Sequence, residues 1–342
     1  MPLTDLGAGT YNGSTGGLYP GGSNVRPAAH DAAGLSIAAQ IVPLDSTGAA
    51  DPTNGRVVLA SMGMSNTTQE FSTFLPMAAA DTALSPRMTF VDGAQGGMTA
   101  ANWADPAHTC WTTFASRLTT AGVTGAQLQV VWAKLASPAS SYPSTFPAGP
   151  QQVQAWMRTA MLNLKTKYPS VRIVYLSSRI YAGYATTNLN PEPQAYENGF
   201  SVKWLVEAQI NGDPGLAYSG AAPPAPWLAW GPYLWADGLG SDNVVGGIPG
   251  RSDGLEWLCA DLSADGTHPA TPGRTKVAQM LLDWLKADPT SQPWILANPP
   301  PPGGGGGVPA SGGGHNSRCG LLGMEAAALL ALMALARRCS SG

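Results

Sequence analysis

Apolar positions along the chain follow two alternating periods, and each change of period marks an element. The run Val57–Met62 (VVLASM) is short, continuous and β-branched, which predicts a strand buried on both faces. It breaks at Gly63, and Ser65 follows two residues later. Asn66, Thr67 and Thr68 then offer oxygens that can cap a helix carrying Phe71, Phe74 and Leu75 on one face. Further strand-like runs at 87–92, 127–133 and 171–177 alternate with helical spacing near 66–80, 109–121, 150–167, 199–210 and 272–287. In the third of these helices Val153, Trp156, Met157, Met161 and Leu164 share a face, and Pro169 ends the pattern. Such β-α alternation predicts a parallel sheet covered by helices on both sides. Sites in these sheets form at the carboxyl ends of strands, where Ser65 stands.

The pattern loosens in three places, which sets the expected organisation. Residues 1–54 form a Gly-rich lead expected to pack as loop on a domain spanning 55–296. Between Ala182 and Gly254, the stretch APPAPWLAWGPYLWADG puts Trp227, Trp230, Tyr233 and Trp235 close together. Two readings stay open there: a cleft for a sugar or aryl group, with Trp230, Tyr233 and Trp235 as substrate contacts, or a loop packed by its own aromatics. Residues 297–318 are a Pro/Gly tether, and 319–342 hold a short apolar run closed by Arg337 and Arg338. That run is short for a bilayer span, which needs about 20 apolar residues, and it contains Glu325. Tether, cysteine, apolar run and terminal arginines, in that order, resemble bacterial C-terminal sorting signals. The resemblance implies a secreted or surface-held protein whose membrane contact is confined to the tail before processing. The N-terminus has neither a basic n-region nor an apolar h-region, so any export signal is expected to have been removed.

Composition narrows the partners. The 342 residues carry 18 Lys and Arg against 21 Asp and Glu, a net charge of −3, with no basic stripe to meet nucleic acid. A charged fraction of 11% is well under the roughly 25% usual for soluble domains, which suits an exported surface. Cys110 and Cys259 lie in the globular part; a disulfide between them and two separate buried thiols are both open. Asp237, Asp242 and Asp253 lack calcium-loop spacing, and no Cys/His spacing suggests zinc, so no metal or other cofactor is expected.

A serine at a strand-to-helix turn is by itself a capping residue. Its backbone N–H nonetheless points to where an oxyanion can sit, at the positive end of a helix. The stretch LSADGTHPATPGRTKVAQMLLDWL supplies what a nucleophile needs. Its helix starts at Thr271–Pro272 and buries Val277, Leu281, Trp284 and Leu285, with Asp265 and His268 on the loop before it. Three residues apart on a turn, the carboxylate can hold Nδ1 of the ring and leave Nε2 free to take a serine proton. Of the other histidines, His315 is in the tether, His30 in the Gly-rich lead, and His108 on a proline turn away from any serine-bearing strand end. An alternative treats Asp261, Asp265 and His268 as a metal site.

A serine after the first strand and Asp-x-x-His-Pro before the last helix resemble the SGNH (GDSL-type) hydrolases. The resemblance spans about residues 55–288. It implies a three-layer α/β/α sandwich with a parallel, flavodoxin-like sheet and a Ser65, Asp265, His268 triad acting without a cofactor. The family's Gly-Asp-Ser is Gly63-Met64-Ser65 here, without the acidic residue. The second block, VDGAQGGMTA, implies an oxyanion-holding glycine at Gly96, with Gly97 as the neighbour. The third block should fall near VVWAKLAS, which has no asparagine; Lys134 is the nearest polar substitute for its oxyanion contact. Together these point to a carboxylic ester hydrolase, first among them a carbohydrate O-acetyl esterase acting on a small-molecule or polysaccharide ester. A lipase or aryl-esterase, or a glycan-binding protein without activity on the same fold, are the alternatives.

Overall fold

The computed structural model describes residues 1–141, 145–238 and 251–301. Its centre is a five-stranded sheet of β1 (Val57–Gly63), β2 (Met88–Val91), β3 (Leu128–Lys134), β4 (Ile173–Leu176) and β5 (Trp227–Trp230). The order is β2-β1-β3-β4-β5 and every pairing is parallel. Parallel strands need both faces covered, and the sequence complies. Val58, Leu59, Val130, Val131, Ile173, Val174 and Leu228 have no solvent exposure.

The helices divide between the two faces. The helices α2 (Ser65–Ala80) and α7 (Thr271–Ala287) pack together on one. On the other, α5 (Ala148–Lys167) lies between α3 (Ala100–Ala104) and α6 (Gln194–Ile210), with α4 (Cys110–Thr120) beside α3. This is the three-layer, doubly wound arrangement with flavodoxin-like strand order. The chain reverses its winding direction between β1 and β3, and the crevice for a ligand opens at their carboxyl ends.

Two parts differ from expectation. The aromatic stretch contains β5, a sheet strand rather than a loop. It is four residues long and follows Pro226, so no period can form that would announce it. The Gly-rich lead contains a helix, α1 (Ala28–Ala38), that rests on the sheet through His30, Gly34 and Ala38. These sit one turn apart but are small or polar, which hides the buried face. Gly34 is what permits the approach: a Cβ there would lie 2.3 Å from the Trp227 ring. His30 stacks on that ring at 4.9 Å and its Nε2 bonds the Leu228 carbonyl at 2.8 Å.

Cys110 is a free, buried thiol, pushed up to about 11 by burial, which rules out its pairing with Cys259. Among the described residues no helix is long and apolar enough to cross a membrane. The tail with Cys319 and Cys339, most of the tether with its His315, and Asp242 lie outside the described residues.

Candidate active site

At the carboxyl end of β1 the chain turns sharply into α2, and Gly63 makes the turn possible. A side chain there would put its Cβ 2.4 Å from the Lys134 carbonyl oxygen of the adjacent strand. Ser65 is the first residue of α2, with Met64 in the cap position and no side-chain cap bond. The three polar residues that follow are not the caps their positions suggest. Each reaches a different neighbour. The Asn66 amide donates to the Thr267 carbonyl (2.8 Å), Thr67 Oγ1 to the Lys134 carbonyl (3.0 Å), and Thr68 Oγ1 to Asp92 at the end of β2.

On the far side of the crevice the loop between Leu262 and Pro269, closed by a bridge between those two residues, carries Asp265 and His268. The Asp265 Oδ1 atom accepts the backbone N–H of Thr267 (3.0 Å) and of His268 (2.9 Å), while Oδ2 bonds Nδ1 of the His268 ring. Burial pushes this carboxyl up, but the bonds from the ring and the two amides outweigh it and hold it below its ordinary value. An ionised Asp265 can only accept, so Nδ1 carries a ring proton, and in the neutral ring Nε2 keeps its lone pair. That atom lies 2.8 Å from Ser65 Oγ. The serine, the ring and the carboxylate therefore form one continuous hydrogen-bonded chain, with Ser65 and His268 203 positions apart in sequence.

The loop after β2 carries Gly96, expected as the oxyanion donor. It is fixed against β1 by the Gln95 amide, which donates to the Gly63 carbonyl at 3.0 Å, and by Gln95 Nε2, which donates to the Cys110 carbonyl at 2.8 Å. Gly96 itself is exposed, and its N–H bonds no group among the described residues. Gly97 takes φ +77°, where glycine is at ease. The N–H of Ser65, at the first helical position, is likewise without a helical acceptor.

Lys134 is a correction. Its side chain is 1% exposed and both ammonium contacts, at 2.5 and 2.6 Å, go to the Glu70 carboxylate, five residues beyond Ser65. Burial lowers the Lys134 ammonium to about 8 and, against the pull of Lys134, raises the Glu70 carboxyl. The pair ties α2 to the end of β3 and takes the Lys134 ammonium out of reach of an oxyanion. Glu70 was legible in principle, as the one acid among the buried residues of α2.

The aromatic substrate contacts need correcting in part. Trp230 donates to the Leu18 carbonyl (2.6 Å) and the Tyr233 hydroxyl accepts the Leu3 amide (3.1 Å). Both are buried and hold the N-terminal lead to the domain. Trp235 instead lines a cavity of about 400 Å3 with Tyr11, Tyr181, Glu192, Tyr196 and Asp237; Ser65, Gly96 and His268 are not on its walls. For the metal alternative, the Asp261 carboxylate is taken up by Lys276 Nζ (2.5 Å) and the Leu258 amide (2.9 Å), and among the described residues no three His, Cys, Asp or Glu side chains group so as to hold a metal ion. The other described histidines have structural partners, His30 as above and His108 with Asn102 (3.1 Å) and the Cys110 amide (3.2 Å).

No protein-family model matches the sequence, and no curated protein matches it. Among solved structures, the chain is similar to a candidate acylhydrolase from Bacteroides fragilis, at 13% identity and a TM-score of 0.35, over 76% of this chain and 96% of that one. It is also similar to a gut microbial diltiazem-metabolizing enzyme, at 11% identity and a TM-score of 0.37, over 68% of this chain and 47% of that one.

Proposed function

We propose that this protein is a serine hydrolase of carboxylic esters working through an acyl-enzyme. The observation that carries the reading is the chain from Ser65 Oγ through His268 Nε2 and Nδ1 to Asp265, at the carboxyl end of a parallel sheet. In the first half-reaction Ser65 Oγ attacks the ester carbonyl carbon while His268 Nε2 takes its proton. The carbonyl oxygen becomes an oxyanion, for which the N–H groups of Ser65 and Gly96 are the donors; each such donor typically contributes about 2.7–4 kcal/mol. As the carbonyl re-forms, the alcohol leaves with the proton from His268. Water, deprotonated by the same nitrogen, then attacks the acyl-Ser65; the bond from the acyl carbon to Ser65 Oγ breaks, His268 returns the proton to Oγ, and the acid leaves. Asp265 keeps the ring in the required tautomer and balances its charge in both halves.

Within that class we place a carbohydrate O-acetyl ester first. Support comes from the charge-poor composition and from the tail's likeness to a surface sorting signal, which fit a protein acting outside the cell on glycans. Of Trp230, Tyr233 and Trp235, only the last lines that cavity. The class is tested with p-nitrophenyl acetate. Ser65→Ala is expected to lose on the order of 10^6-fold in kcat, and undiminished hydrolysis would reject the reading. The substrate is tested by acetate release from a panel of acetylated polysaccharides; release from simple aryl esters alone would point to an aryl-esterase.

A further inference from the structure

We infer that Asn66 is a positioning residue for the base, setting through Thr267 where His268 meets Ser65. This deepens the reading of Ser65 and His268 as nucleophile and base, and rests on it. Two adjacent residues of α2 bond two adjacent residues of the Asp265–His268 loop, like rungs of a ladder. Ser65 Oγ meets His268 Nε2 at 2.8 Å, and Asn66 Nδ2 meets the Thr267 carbonyl at 2.8 Å. A carbonyl oxygen only accepts, so the chemistry fixes which end of the amide faces it.

The bond falls on the peptide unit that leads into His268. Its carbonyl oxygen is held by Asn66, and its N–H donates to Asp265 Oδ1 at 2.9 Å. Gripped at both edges, that plane has little freedom to rotate, and its orientation sets the direction in which the ring leaves the backbone. Arg179 Nη2 makes a second, longer contact to the same carbonyl at 3.5 Å. Among the described residues the loop's other backbone ties do not touch α2; Ser263, for instance, donates to the His268 carbonyl (2.7 Å) and Thr186 to the Asp265 carbonyl (3.0 Å). Asn66 is therefore the direct rung between the nucleophile's own helix and the base's backbone. It is 2% exposed, and its side chain caps nothing. Asparagine is also a poor helix former, so neither capping nor propensity accounts for it.

The test uses the full chain and two variants. Asn66→Ala removes the rung. Asn66→Asp keeps the volume, places a carboxylate where the helix dipole favours one, but has no donor at neutral pH. Hydrolysis of p-nitrophenyl acetate is expected to fall about 10- to 100-fold in kcat in both, with KM within about twofold, because a displaced base costs the transition state rather than binding. The rate of labelling by a fluorophosphonate should fall in parallel, and by a similar factor in both variants even though a carboxylate buried against the Thr267 carbonyl makes Asn66→Asp the lower-melting of the two. A residue that only supports the fold would show activity following melting temperature across the two variants. Wild-type kcat in either variant overturns the inference. If the wild-type chain neither hydrolyses nor labels, it is the Ser65–His268 reading that has failed. The rung is then judged by the downfield Nδ1–H resonance of His268. A shift or broadening in both variants supports it, and an unchanged resonance rejects it.

Discussion

One carboxylate at Asp265 does two separate things. Its Oδ1 shapes the turn by accepting two amides, and its Oδ2 fixes the tautomer of His268. Asp265→Asn separates them. The amide oxygen can still accept from the turn, but the amide nitrogen donates toward Nδ1 and forces the ring proton onto Nε2, where it blocks Ser65. We expect a loss of about 10^3- to 10^4-fold in kcat for p-nitrophenyl acetate with KM little changed. Retention of more than about a tenth of the activity would contradict the role assigned to this residue. The same carboxyl makes a pH prediction. Its folded pKa lies below the unfolded value, so its stabilisation is fully present above the ordinary carboxylate range near about 4 and is lost as pH falls through the lower, folded value. Melting temperatures of wild type and Asp265→Asn should therefore converge below about pH 4 and separate above it.

At the scale of elements, the turn from β1 into α2 is braced by a buried ion pair. Glu70 and Lys134 are 0% and 1% exposed at their side chains. Removing one partner strands the other's charge in the interior, so Lys134→Met is expected to destabilise by about 3–5 kcal/mol in urea unfolding. Replacing both, as Glu70→Leu with Lys134→Met, should restore most of that, because the desolvation cost goes with the charges. Equal destabilisation by the single and double variants would show that the pair is not the cause. This is also where sequence reading reached its limit. The β1–Gly63–Ser65–α2 unit was legible because an apolar run, a glycine and a helical face lie next to each other in the chain. So was the Asp265/His268 turn, whose partners are three residues apart. Where Lys134 points, and what Asn66, Thr67 and Thr68 bond, depends on strands and loops 24 to 201 residues away. Local pattern assigns such side chains to the nearest job, a cap or a surface charge. The strand β5 was hidden for another reason: four buried residues rich in tryptophan look alike as strand or as packed loop.

Across the whole molecule, the N-terminal lead is part of the core. Trp227 is fully buried with the His30 ring stacked on it, and Trp230 and Tyr233 spend their polar atoms on Leu18 and Leu3. Arg26 reaches across to Asp288 beyond α7 at 2.5 Å, both side chains largely buried. A chain beginning at residue 55 would expose all of this at the β5 edge. We expect it to be insoluble or to melt well below the full chain. Gly34→Val, which drives a side chain into Trp227, should lower the melting temperature in the same direction by a smaller amount. A truncated chain as stable as the intact one would mean that the lead is an appendage.

On this reading Ser65 is an activated nucleophile. Its most direct measurement is the reaction of the full chain with a fluorophosphonate, followed by mass mapping of the modified peptide. A single adduct on Ser65 is expected, absent in Ser65→Ala and strongly slowed in His268→Ala. No adduct on the wild-type chain, or an adduct on another serine that persists in Ser65→Ala, would contradict it.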